Sequence, residues 1–556
     1  MMKKLTPFYF ILFFNMIITG QNNDFNTSNH FPQEKIYAHT NSNFFLNGET
    51  LFYKIYCLDA RTNSPSQLSK IAYIELIDNE NKSIYKQKIS LENGVGNGDF
   101  FLNSATKTGT YKLISYTQWM RNKQTFFEEN IFIVNPFLSK LTIADSTHQQ
   151  KTESLHTPQT NFLNLSSDKK KYGQRDKITL NFDGDFAKNL SISVKKYDSI
   201  EIESKINSIS FLNSKSLNTN ATKEYLPELR GELYHGKITT INTTTVNKKI
   251  GLSFIGENKI SKTSITNAKG EFYFTIDKPY SSENVLIEVL EEDAEKYTIT
   301  LFNTDELEKK FTDFNELYLT ENIRKTIKKR SLYVQIENAY QQTKLNTLLI
   351  TPLNTPVFFG NKNNVIYNLD DYNRFKTVKE VTIEILQDVW LSKENNRTVF
   401  RLRDINLESS SELETLLIVD GYIVSNHESF LGFDALKIKS IELVKEKYQF
   451  GAKNYHGIIQ ISTFKNDYKP IVTAKNSFTI LKPSAEKAYF SPDYSVDKLS
   501  KIPDFRTQLF WNANLNSASN QISFFASDVK GTFEATIEGF TKEGLPIYEK
   551  TFFTVE

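Results

Sequence analysis

The sequence has very little cysteine: Cys57 is the single cysteine among 556 residues. One thiol cannot form a disulfide bond within the chain, which excludes a fold held by disulfide bridges. Cys57 lies in the apolar run Ile55-Tyr56-Cys57-Leu58, with no histidine or basic cluster beside it, and this indicates a buried thiol rather than a nucleophile. Core burial must therefore hold each domain together, and the 13% aromatic content contributes to it.

The chain also lacks an excess of charge of either sign. Its 67 lysine and arginine residues nearly balance 65 aspartate and glutamate residues, for a formal net charge of +2. Binding to nucleic-acid phosphates needs a concentrated basic surface, so the whole chain gives no electrostatic argument for such a partner. One basic cluster does occur, and we interpret it as the solvated face of a helix; it contains Arg324, Lys325, Lys328, Lys329 and Arg330.

Long hydrophobic runs without charges are missing after the first 20 residues. At the start, Lys3 and Lys4 precede the apolar stretch Phe8–Ile18, and Thr19-Gly20 then leads into a polar run. This order of basic, apolar and small residues is typical of a secretory signal peptide, and the apolar stretch is shorter than the ~20 residues of a membrane span. We therefore predict a signal peptide over residues 1–20 and an exported chain without a membrane span of its own.

Common motifs of catalysis and metal binding are missing as well. No two of the seven histidines stand four residues apart around a glutamate, as in zinc proteases, and neither a Gly-x-Ser-x-Gly elbow nor a phosphate-binding loop occurs. His427 and His456 flank predicted strands, and we interpret both as structural or solvated. The acidic run Glu291-Glu292-Asp293 is interpreted as surface, because adjacent strand residues point to opposite faces. We expect no enzyme activity, no cofactor and no metal site.

Length and hydrophobic periodicity predict several small, mainly β domains. At ~150 residues per domain, the chain has room for three to five. Alternating apolar and polar runs predict two β-sandwiches over residues 31–137 and 229–302, a second small β domain over 160–200 and a C-terminal β domain over 465–556. The polar stretches Thr142–Asn161 and Asn207–Lys223 are predicted to be linkers.

Two further segments depart from the β pattern. Between Thr304 and Gln342, apolar residues recur at steps of three to five, which predicts a helical connector over residues 303–350. Residues 352–464 combine short strands with a helical stretch and are predicted to form a small α/β domain. The predicted fold class is thus tandem β-sandwiches with one small α/β module.

Three residues of the α/β module are predicted to have structural roles. Leu416–Val419 is an apolar strand that ends at Asp420-Gly421, a turn-forming pair in which Gly421 permits a positive φ. Gly457 begins a later predicted strand of the same module. We predict that Asp420, Gly421 and Gly457 fix the structural turns of this domain and are not reactive groups.

The strand pattern of this module resembles the plug domain of TonB-dependent outer-membrane receptors. The matching segments are a strand ending in Val-Asp-Gly, a strand of the Ile-Glu-Ser-Ile-Glu-Val-Leu-Lys type and a Gly-hydrophobic-Ile-x-Ile-x-Thr strand; here they are Leu416–Val424, Ile438–Val444 and Tyr455–Thr463. Such receptors continue into a barrel of about 22 strands of ~9–11 residues each. The sequence after Phe464 is too short for that barrel, so we expect no transport through a barrel of its own.

Two other segments resemble known domains. Glu34–Thr40 and Phe45–Thr50 resemble the opening of a macroglobulin-type β-sandwich, and residues 229–302 resemble a carboxypeptidase-regulatory-like domain at Gly231-Glu232-Leu233 and Asn267–Phe274. With Asp370–Phe375, this order resembles exported Bacteroidota proteins that have a plug-like domain and no receptor barrel. No Cys-Gly-Glu-Gln cluster surrounds Cys57, so the resemblance does not imply covalent trapping of proteases.

These resemblances imply a non-catalytic accessory protein of the periplasm. Its plug-like domain would bind an outer-membrane β-barrel or a translocon, and in the sharpest form of the hypothesis it would occlude the type IX secretion channel. A second hypothesis is a periplasmic or surface module that recognises peptide or glycan, although tryptophan is scarce, with Trp119, Trp390 and Trp511 alone. A third is a macroglobulin-like protease inhibitor, with Thr142–Asn161 as the bait region.

Overall fold

The computed structural model describes most of the chain: residues 32–137, 163–183, 189–197, 200, 203–214, 221, 223–255, 260–280, 282–291, 293–302, 307–317, 319–349, 364–394, 397–403, 413–451, 453–470, 475–496, 501–515 and 520–556. Those from residue 33 onward belong to one compact unit. The fold is mainly β, as predicted. The predicted signal peptide over residues 1–20 and the linker Thr142–Asn161 lie outside the described residues.

The first β-sandwich contains eight strands: β1 Glu34–Thr40, β2 Phe44–Leu46, β3 Thr50–Asp59, β4 Ile71–Ile77, β5 Ser83–Ser90, β6 Val95–Phe101, β7 Gly109–Tyr116 and β8 Phe127–Val134. One sheet has the order β1-β3-β6 and the other the order β2-β8-β7-β4-β5. Their facing apolar side chains, such as Ile36, Ile55 and Leu113, form a continuous core. Alternating strand residues can supply this core because neighbouring side chains point to opposite faces.

Four strands and a short helix follow: β9 Asn164–Ser167, β10 Lys171–Tyr172, β11 Lys177–Asp183, β12 Leu190–Lys196 and α1 Ser208–Asn213. Helix α1 lies within Asn207–Lys223, which we predicted to be a linker, so that prediction is wrong for its first residues. The helix begins there because the Asn207 side chain accepts a hydrogen bond from the Ser210 amide, and the Ser210 hydroxyl accepts one from the Asn207 amide.

The next β-sandwich lies within the region predicted over residues 229–302. Its strands are β13 Glu232–Thr239, β14 Lys249–Phe254, β15 Ser261–Ile265, β16 Glu271–Ile276, β17 Asn284–Val289 and β18 Thr298–Leu301. The strand order is β16-β13-β18 in one sheet and β15-β14-β17 in the other, where β17 also pairs with a strand from much later in the chain. Apolar residues such as Leu252, Phe272 and Ile287 form the core between the sheets.

A single long helix, α2 Glu321–Ala339, occupies the second half of the connector predicted over residues 303–350. It begins at Thr320, whose hydroxyl caps the Ile323 amide at 3.4 Å. The predicted helical pattern from Thr304 is wrong for Phe311, which lies outside any helix and is buried against the first sandwich. Its backbone amide and carbonyl bond to the Asn81 side chain at 2.7 and 3.0 Å, so tertiary bonds replace helical ones there.

The α/β module predicted over residues 352–464 contains a mixed sheet. Strand β19 Thr347–Leu348 precedes the module and pairs with a later strand. The elements of the module are β20 Val365–Asn368, α3 Val378–Glu384, β21 Val389–Glu394, β22 Arg397–Leu402, β23 Leu416–Val419, β24 Tyr422–Ile423, α4 His427–Leu431, β25 Ile438–Phe450 and β26 Lys453–Thr463. The sheet order is β20-β25-β26-β23-β24, in which β23 is parallel to β26 and the other neighbours are antiparallel. Strands β21 and β22 form a separate hairpin.

The last strands are β27 Ser477–Thr479, β28 Lys487–Ala488, β29 Gln508–Asn512, β30 Gln521–Phe525, β31 Gly531–Phe540 and β32 Pro546–Val555. Four of them complete a sandwich with sheets β10-β32-β31-β12-β29 and β30-β11-β9. The domain that we predicted over residues 160–200 and the last four strands of the one predicted over 465–556 are therefore one discontinuous sandwich, while β27 and β28 pair with β17 and β19. Neither segment has enough strands to cover its own core, which Ile178, Val194 and Ile537 share across both.

In the part of the chain that the structure describes, no helix combines the length and apolar character needed to cross a membrane.

Candidate functional site

A cleft of about 600 Å³ lies between the discontinuous sandwich, the first sandwich and helix α2. Its floor is the outward face of the five-stranded sheet, where Ser193 and Lys195 of β12 lie beside Glu534 and Thr536 of β31 and Lys550 of β32. In β12 and β31 the intervening residues are apolar and face the core, whereas Glu549 and Thr551, on either side of Lys550 in β32, are polar and buried. Period-two alternation thus gives β12 and β31 an apolar face toward the core and a polar face that forms the floor.

Aromatic side chains form part of the cleft walls. Phe52 of β3 lies against Trp511 of β29, with ring centroids 5.8 Å apart, and against Tyr489, at 4.6 Å. Tyr333 of α2 stacks on Phe505 at 5.2 Å. These contacts join separate chain segments around the opening and give the cleft apolar surface beside its polar floor.

Helix α2 is held at the cleft by an ion pair with the first sandwich. The Arg330 guanidinium donates two hydrogen bonds to the Glu49 carboxylate, at 2.6 and 2.8 Å. Glu49 also accepts the Leu46 amide of β2 at 2.8 Å. A planar guanidinium that binds both carboxylate oxygens fixes orientation as well as distance, so this wall of the cleft is defined by side-chain geometry.

Polar groups are buried where the first sandwich meets the floor. The Glu538 carboxylate accepts hydrogen bonds from the Tyr37 hydroxyl and from Lys205 Nζ, the latter at 2.8 Å. His39 Nε2 lies 3.3 Å from Glu538 Oε1, and His39 Nδ1 lies 2.7 Å from the Ser191 hydroxyl. Serine, histidine and glutamate are thus neighbours as in hydrolytic triads, but the two ring nitrogens are exchanged relative to a triad, and among the described residues Nε2 has no hydrogen-bond partner.

The geometry of this triad-like group nevertheless indicates a structural role. Ser191 is fully buried, and its hydroxyl lies 2.9 Å from that of Tyr56, so a substrate cannot reach it. Burial, followed by the charges of Lys205, Lys54 and Lys195, keeps the pKa of His39 well below its usual value. A neutral, buried histidine that bridges two sandwiches stabilises their contact.

Two further ionisable groups reinforce this boundary. Burial raises the pKa of Glu129 to about 7, although its carboxylate accepts the Ile206 amide at 3.0 Å and the Thr40 hydroxyl at 3.1 Å. Burial also lowers the pKa of Lys54 to about 7, and its ammonium donates to the Ala513 carbonyl at 2.6 Å. Because burying such groups is costly unless they find partners, the two sandwiches have a defined relative position around the cleft.

The residues predicted as structural turns lie in the α/β module, away from the cleft. Asp420 and Gly421 adopt φ values of 47° and 84° between β23 and β24, and Gly457 of β26 adopts 78°. The Asp420 carboxylate accepts the Thr463 amide at 2.8 Å and the Thr463 hydroxyl at 2.6 Å, which joins the ends of β23 and β26. A side chain at Gly457 would place its Cβ 2.6 Å from the Val444 carbonyl oxygen.

Other residues considered from the sequence lie in several environments. Cys57 is buried, and burial followed by the charge of Glu34 raises its pKa well above the usual value. His427 accepts the Phe400 amide at Nδ1 and is buried, as is His456. Of the basic cluster on α2, Arg330 and Lys329 line the cleft. Among the tryptophans, Trp511 lines the cleft, Trp119 is buried and Trp390 is exposed.

The sequence patterns described above do not predict the cleft. Ser191, Ser193 and Lys195 alternate with apolar residues, as do Glu534, Thr536 and Glu538, and this pattern does signal strands with one polar face. It does not indicate that another domain covers that face. Within the described ranges, no group of three or more histidine, cysteine, aspartate or glutamate side chains is placed to hold a metal ion.

Comparison with known proteins gives fold neighbours at low similarity. No protein-family model matches the chain. No curated protein matches it in sequence. Among solved structures, the alpha-2-macroglobulin of Salmonella reacted with methylamine is 8% identical, with a TM-score of 0.16, over 94% of this chain and 23% of that one. The trypsin-activated alpha-2-macroglobulin of Escherichia coli is 9% identical, with a TM-score of 0.16, over 94% and 23%.

A β-glucosidase of Listeria innocua is 11% identical, with a TM-score of 0.14, over 19% of this chain and 16% of that one. The chain thus spans 23% of the length of the two macroglobulin chains it matches. The macroglobulin, carboxypeptidase-regulatory and plug assignments, and the bait region at Thr142–Asn161, stay predictions.

Proposed function

We propose that this chain is a non-catalytic recognition protein whose cleft binds an extended peptide segment. The observation that carries the proposal is the cleft of about 600 Å³, with a polar sheet face as its floor and aromatic side chains in its walls. This volume falls within the range of about 300–1,000 Å³ that is usual for ligand sites. A site of this kind can bind polar groups and apolar side chains of one ligand together.

The arrangement of charges on the floor favours a peptide over a glycan. Lys195 faces Glu534 across β12 and β31, and Thr536 faces Lys550 across β31 and β32. The floor thus presents cations, a carboxylate and hydroxyls at the distance between every second residue of a strand. Polar side chains on one side of an extended peptide have the same spacing. Glycan sites depend more on the open faces of aromatic rings, whereas Trp511 is 5% exposed. We therefore assign the peptide as ligand and keep the glycan as an alternative outcome.

Selection from a displayed library of random peptides, with the full purified chain as bait, tests this proposal. We expect enriched sequences that bind wild type and bind Lys195→Glu about tenfold or more weakly. The substitution removes a cation from the floor and places a second carboxylate beside Glu534, which changes the charge that the peptide meets. Lys439→Glu is the matched control, since Lys439 is an exposed strand lysine of the α/β module. Failure of any peptide to be enriched, or equal losses in both variants, would refute the proposal; enrichment on a glycan array alone would support the alternative.

A second proposed role concerns the α/β module. We propose that the chain is exported to the periplasm and that this module binds an outer-membrane β-barrel or translocon, as the resemblance to plug domains implies. The supporting observation is that its surface carries large exposed apolar side chains, namely Ile366, Ile383, Trp390 and Phe464. Exposed apolar side chains of this size contribute to an interaction surface where they lie together, and the proposal requires that they do.

Affinity purification of the tagged chain from detergent-solubilised outer membranes tests the second role. We expect a barrel protein to copurify with wild type and to be reduced with Trp390→Ser, because a large exposed apolar side chain would be lost from the contact. Leu226→Ser, which removes an exposed leucine outside the module, is the control. Recovery of the wild-type chain as a free monomer would contradict this role and leave the peptide cleft unaffected.

A further inference from the structure

Three exposed leucines lie beside the mouth of the cleft. Leu345, Leu348 and Leu349, which we call the leucine shelf, are 70%, 53% and 48% exposed. They flank or belong to β19, a two-residue strand that pairs with β28 to form a small ribbon. Three large apolar side chains within five residues of exposed chain are unusual for a surface that contacts water alone.

Within the described ranges, the ribbon has an open edge at Leu348. The Leu349 amide donates to the Glu486 carbonyl at 2.9 Å, and Thr347 lies opposite Ala488. In an antiparallel pair, alternate residues bond to the partner strand, so the amide and carbonyl of Leu348 point away from β28. Both residues of β19 are exposed. Among the described residues no strand pairs with β19 on the side away from β28, so within this part of the chain the backbone of Leu348 is available to a further strand.

The same ribbon is continuous with the cleft. Asn346 precedes β19 and lines the cleft, as do Tyr489 and Phe490, which follow β28. The Phe490 amide donates to the Asn346 side chain at 2.9 Å, which ties the two ends of the ribbon together at the mouth. Two residues of extended chain span roughly 7 Å. A ligand that leaves the cleft at Asn346 therefore reaches the open edge at Leu348 within about two residues.

We propose that the peptide bound in the cleft continues onto β19, where it adds a strand at the open edge and places apolar side chains over the leucine shelf. This inference rests on the proposed function of the cleft and specifies its ligand. The ligand is an extended peptide in which a segment with charged and hydroxyl side chains is followed or preceded by a short apolar segment. Strand addition supplies backbone hydrogen bonds, and alternate side chains supply selectivity.

The experiment compares peptides selected by three forms of the full chain from a displayed library of random peptides of about 15 residues. The forms are wild type, the double variant Leu345→Glu and Leu348→Glu, and the control Ile241→Glu, which changes an apolar residue that is 97% exposed elsewhere. We expect wild type and control to select peptides with adjoining polar and apolar segments. The double variant should select peptides without the apolar segment, because carboxylates would replace the leucines that contact it.

A second measurement tests the backbone contact directly. The peptide most enriched by wild type is synthesised with single N-methyl groups along its apolar segment, and its Kd for wild type is measured by fluorescence anisotropy. We expect a loss of about tenfold or more at a position whose amide donates to the Leu348 carbonyl, and small effects at neighbouring positions whose amides point away.

The outcomes separate the inference from the proposed function. Enriched peptides that depend on Lys195 but are the same for wild type and the double variant, or that tolerate every N-methyl group, would overturn the strand addition and leave the cleft proposal in place. Absence of any enriched peptide would overturn both. A melting temperature that falls in the double variant but not in Ile241→Glu would also overturn the inference, because the leucines would then be covered by the chain itself.

Discussion

Tyr37 and Glu538, which are 501 residues apart in the chain, form a buried hydrogen bond between the first sandwich and the discontinuous sandwich. Tyr37 lies on β1, and Glu538 lies on β31, on the same sheet face as the floor of the cleft. The carboxylate is 1% exposed and relies on Tyr37 and Lys205 in place of water. This contact therefore connects the stability of the domain boundary with the shape of the proposed binding site.

Replacing Tyr37 with phenylalanine should weaken this boundary. The variant keeps the ring but removes a donor to a buried carboxylate, and hydrogen bonds to charged groups contribute about 1.5–3 kcal/mol. We expect the free energy of unfolding to fall by about 2 kcal/mol. Urea titration followed by tryptophan fluorescence measures this, because Trp511 lies 5.2 Å from His39 at the same boundary. Tyr273→Phe, at an exposed tyrosine, is the control, and equal stabilities for both variants would contradict the prediction.

Much of the fold could be predicted from local patterns. Period-two alternation and turn residues locate strands such as β4 and β23, whose observed bounds are Ile71–Ile77 and Leu416–Val419. These strands are predictable because their side chains alternate or are apolar throughout, and because turn residues end them. The predicted connector helix is longer than the observed one, because Phe311 and Phe314 have a helical spacing in the sequence but pack against the first sandwich outside a helix.

The discontinuous sandwich and the cleft could not be predicted in this way. Strand β12 pairs with β29 and β31, more than 300 residues later in the chain, and alternation in β12 says nothing about which partners it has. The cleft follows from that pairing, since Ser193 and Thr536 share a sheet face only after β12 and β31 have met. Long-range pairing of this kind is set by the global packing of several cores and leaves no local signal.

The stability of the α/β module should depend on pH through His427. Burial is the main cause that lowers the pKa of this ring to about 4, and its Nδ1 accepts the Phe400 amide at 3.1 Å. Between pH ~6.5 and ~4 the unfolded chain binds a proton that the folded chain excludes, so stability is full above pH 6.5 and falls as the pH decreases. The loss should reach about 3 kcal/mol near pH 4. Its charged neighbours are Glu414, Arg401, Lys453 and Glu394.

His427→Gln tests this dependence, because its amide oxygen can still accept the Phe400 amide but does not titrate. Unfolding midpoints are measured from pH 7.5 down to pH 4.5, and the stability of wild type relative to the variant should decrease as the pH falls, since wild type alone loses the contribution of the neutral ring. Other groups, including Glu129, titrate in both proteins and cancel in the comparison. Parallel pH profiles for the two proteins would show that His427 is not responsible.

Gly421→Val should destabilise the turn between β23 and β24. Gly421 has a φ of 84°, a conformation that β-branched residues rarely adopt, and we expect a cost of about 1–3 kcal/mol. Gly432→Ala is the matched control from the same module, because no atom lies within 4 Å of the Cβ it would add. Melting temperatures of the two variants measure the difference, and a Gly421→Val protein as stable as wild type would remove the turn as a structural requirement.

Arg330→Lys should loosen helix α2 at the wall of the cleft even though the positive charge is kept. A lysine ammonium cannot make the paired hydrogen bonds that the guanidinium makes to Glu49 at 2.6 and 2.8 Å, and we expect a loss of about 1–2 kcal/mol. Hydrogen exchange of the α2 amides should then become roughly 5- to 30-fold faster, because local opening costs less free energy.

Arg324→Lys is the control for this prediction, since Arg324 lies on the same helix and makes an exposed pair with Glu321 at 3.6 Å. Exposed pairs of this type contribute little, so exchange should stay near the wild-type rate. If the peptide proposal holds, Arg330→Lys should also weaken peptide binding, because a mobile wall must be ordered when the ligand binds. Unchanged exchange with weakened binding would instead assign Arg330 to direct ligand contact, and unchanged exchange with unchanged binding would exclude both roles.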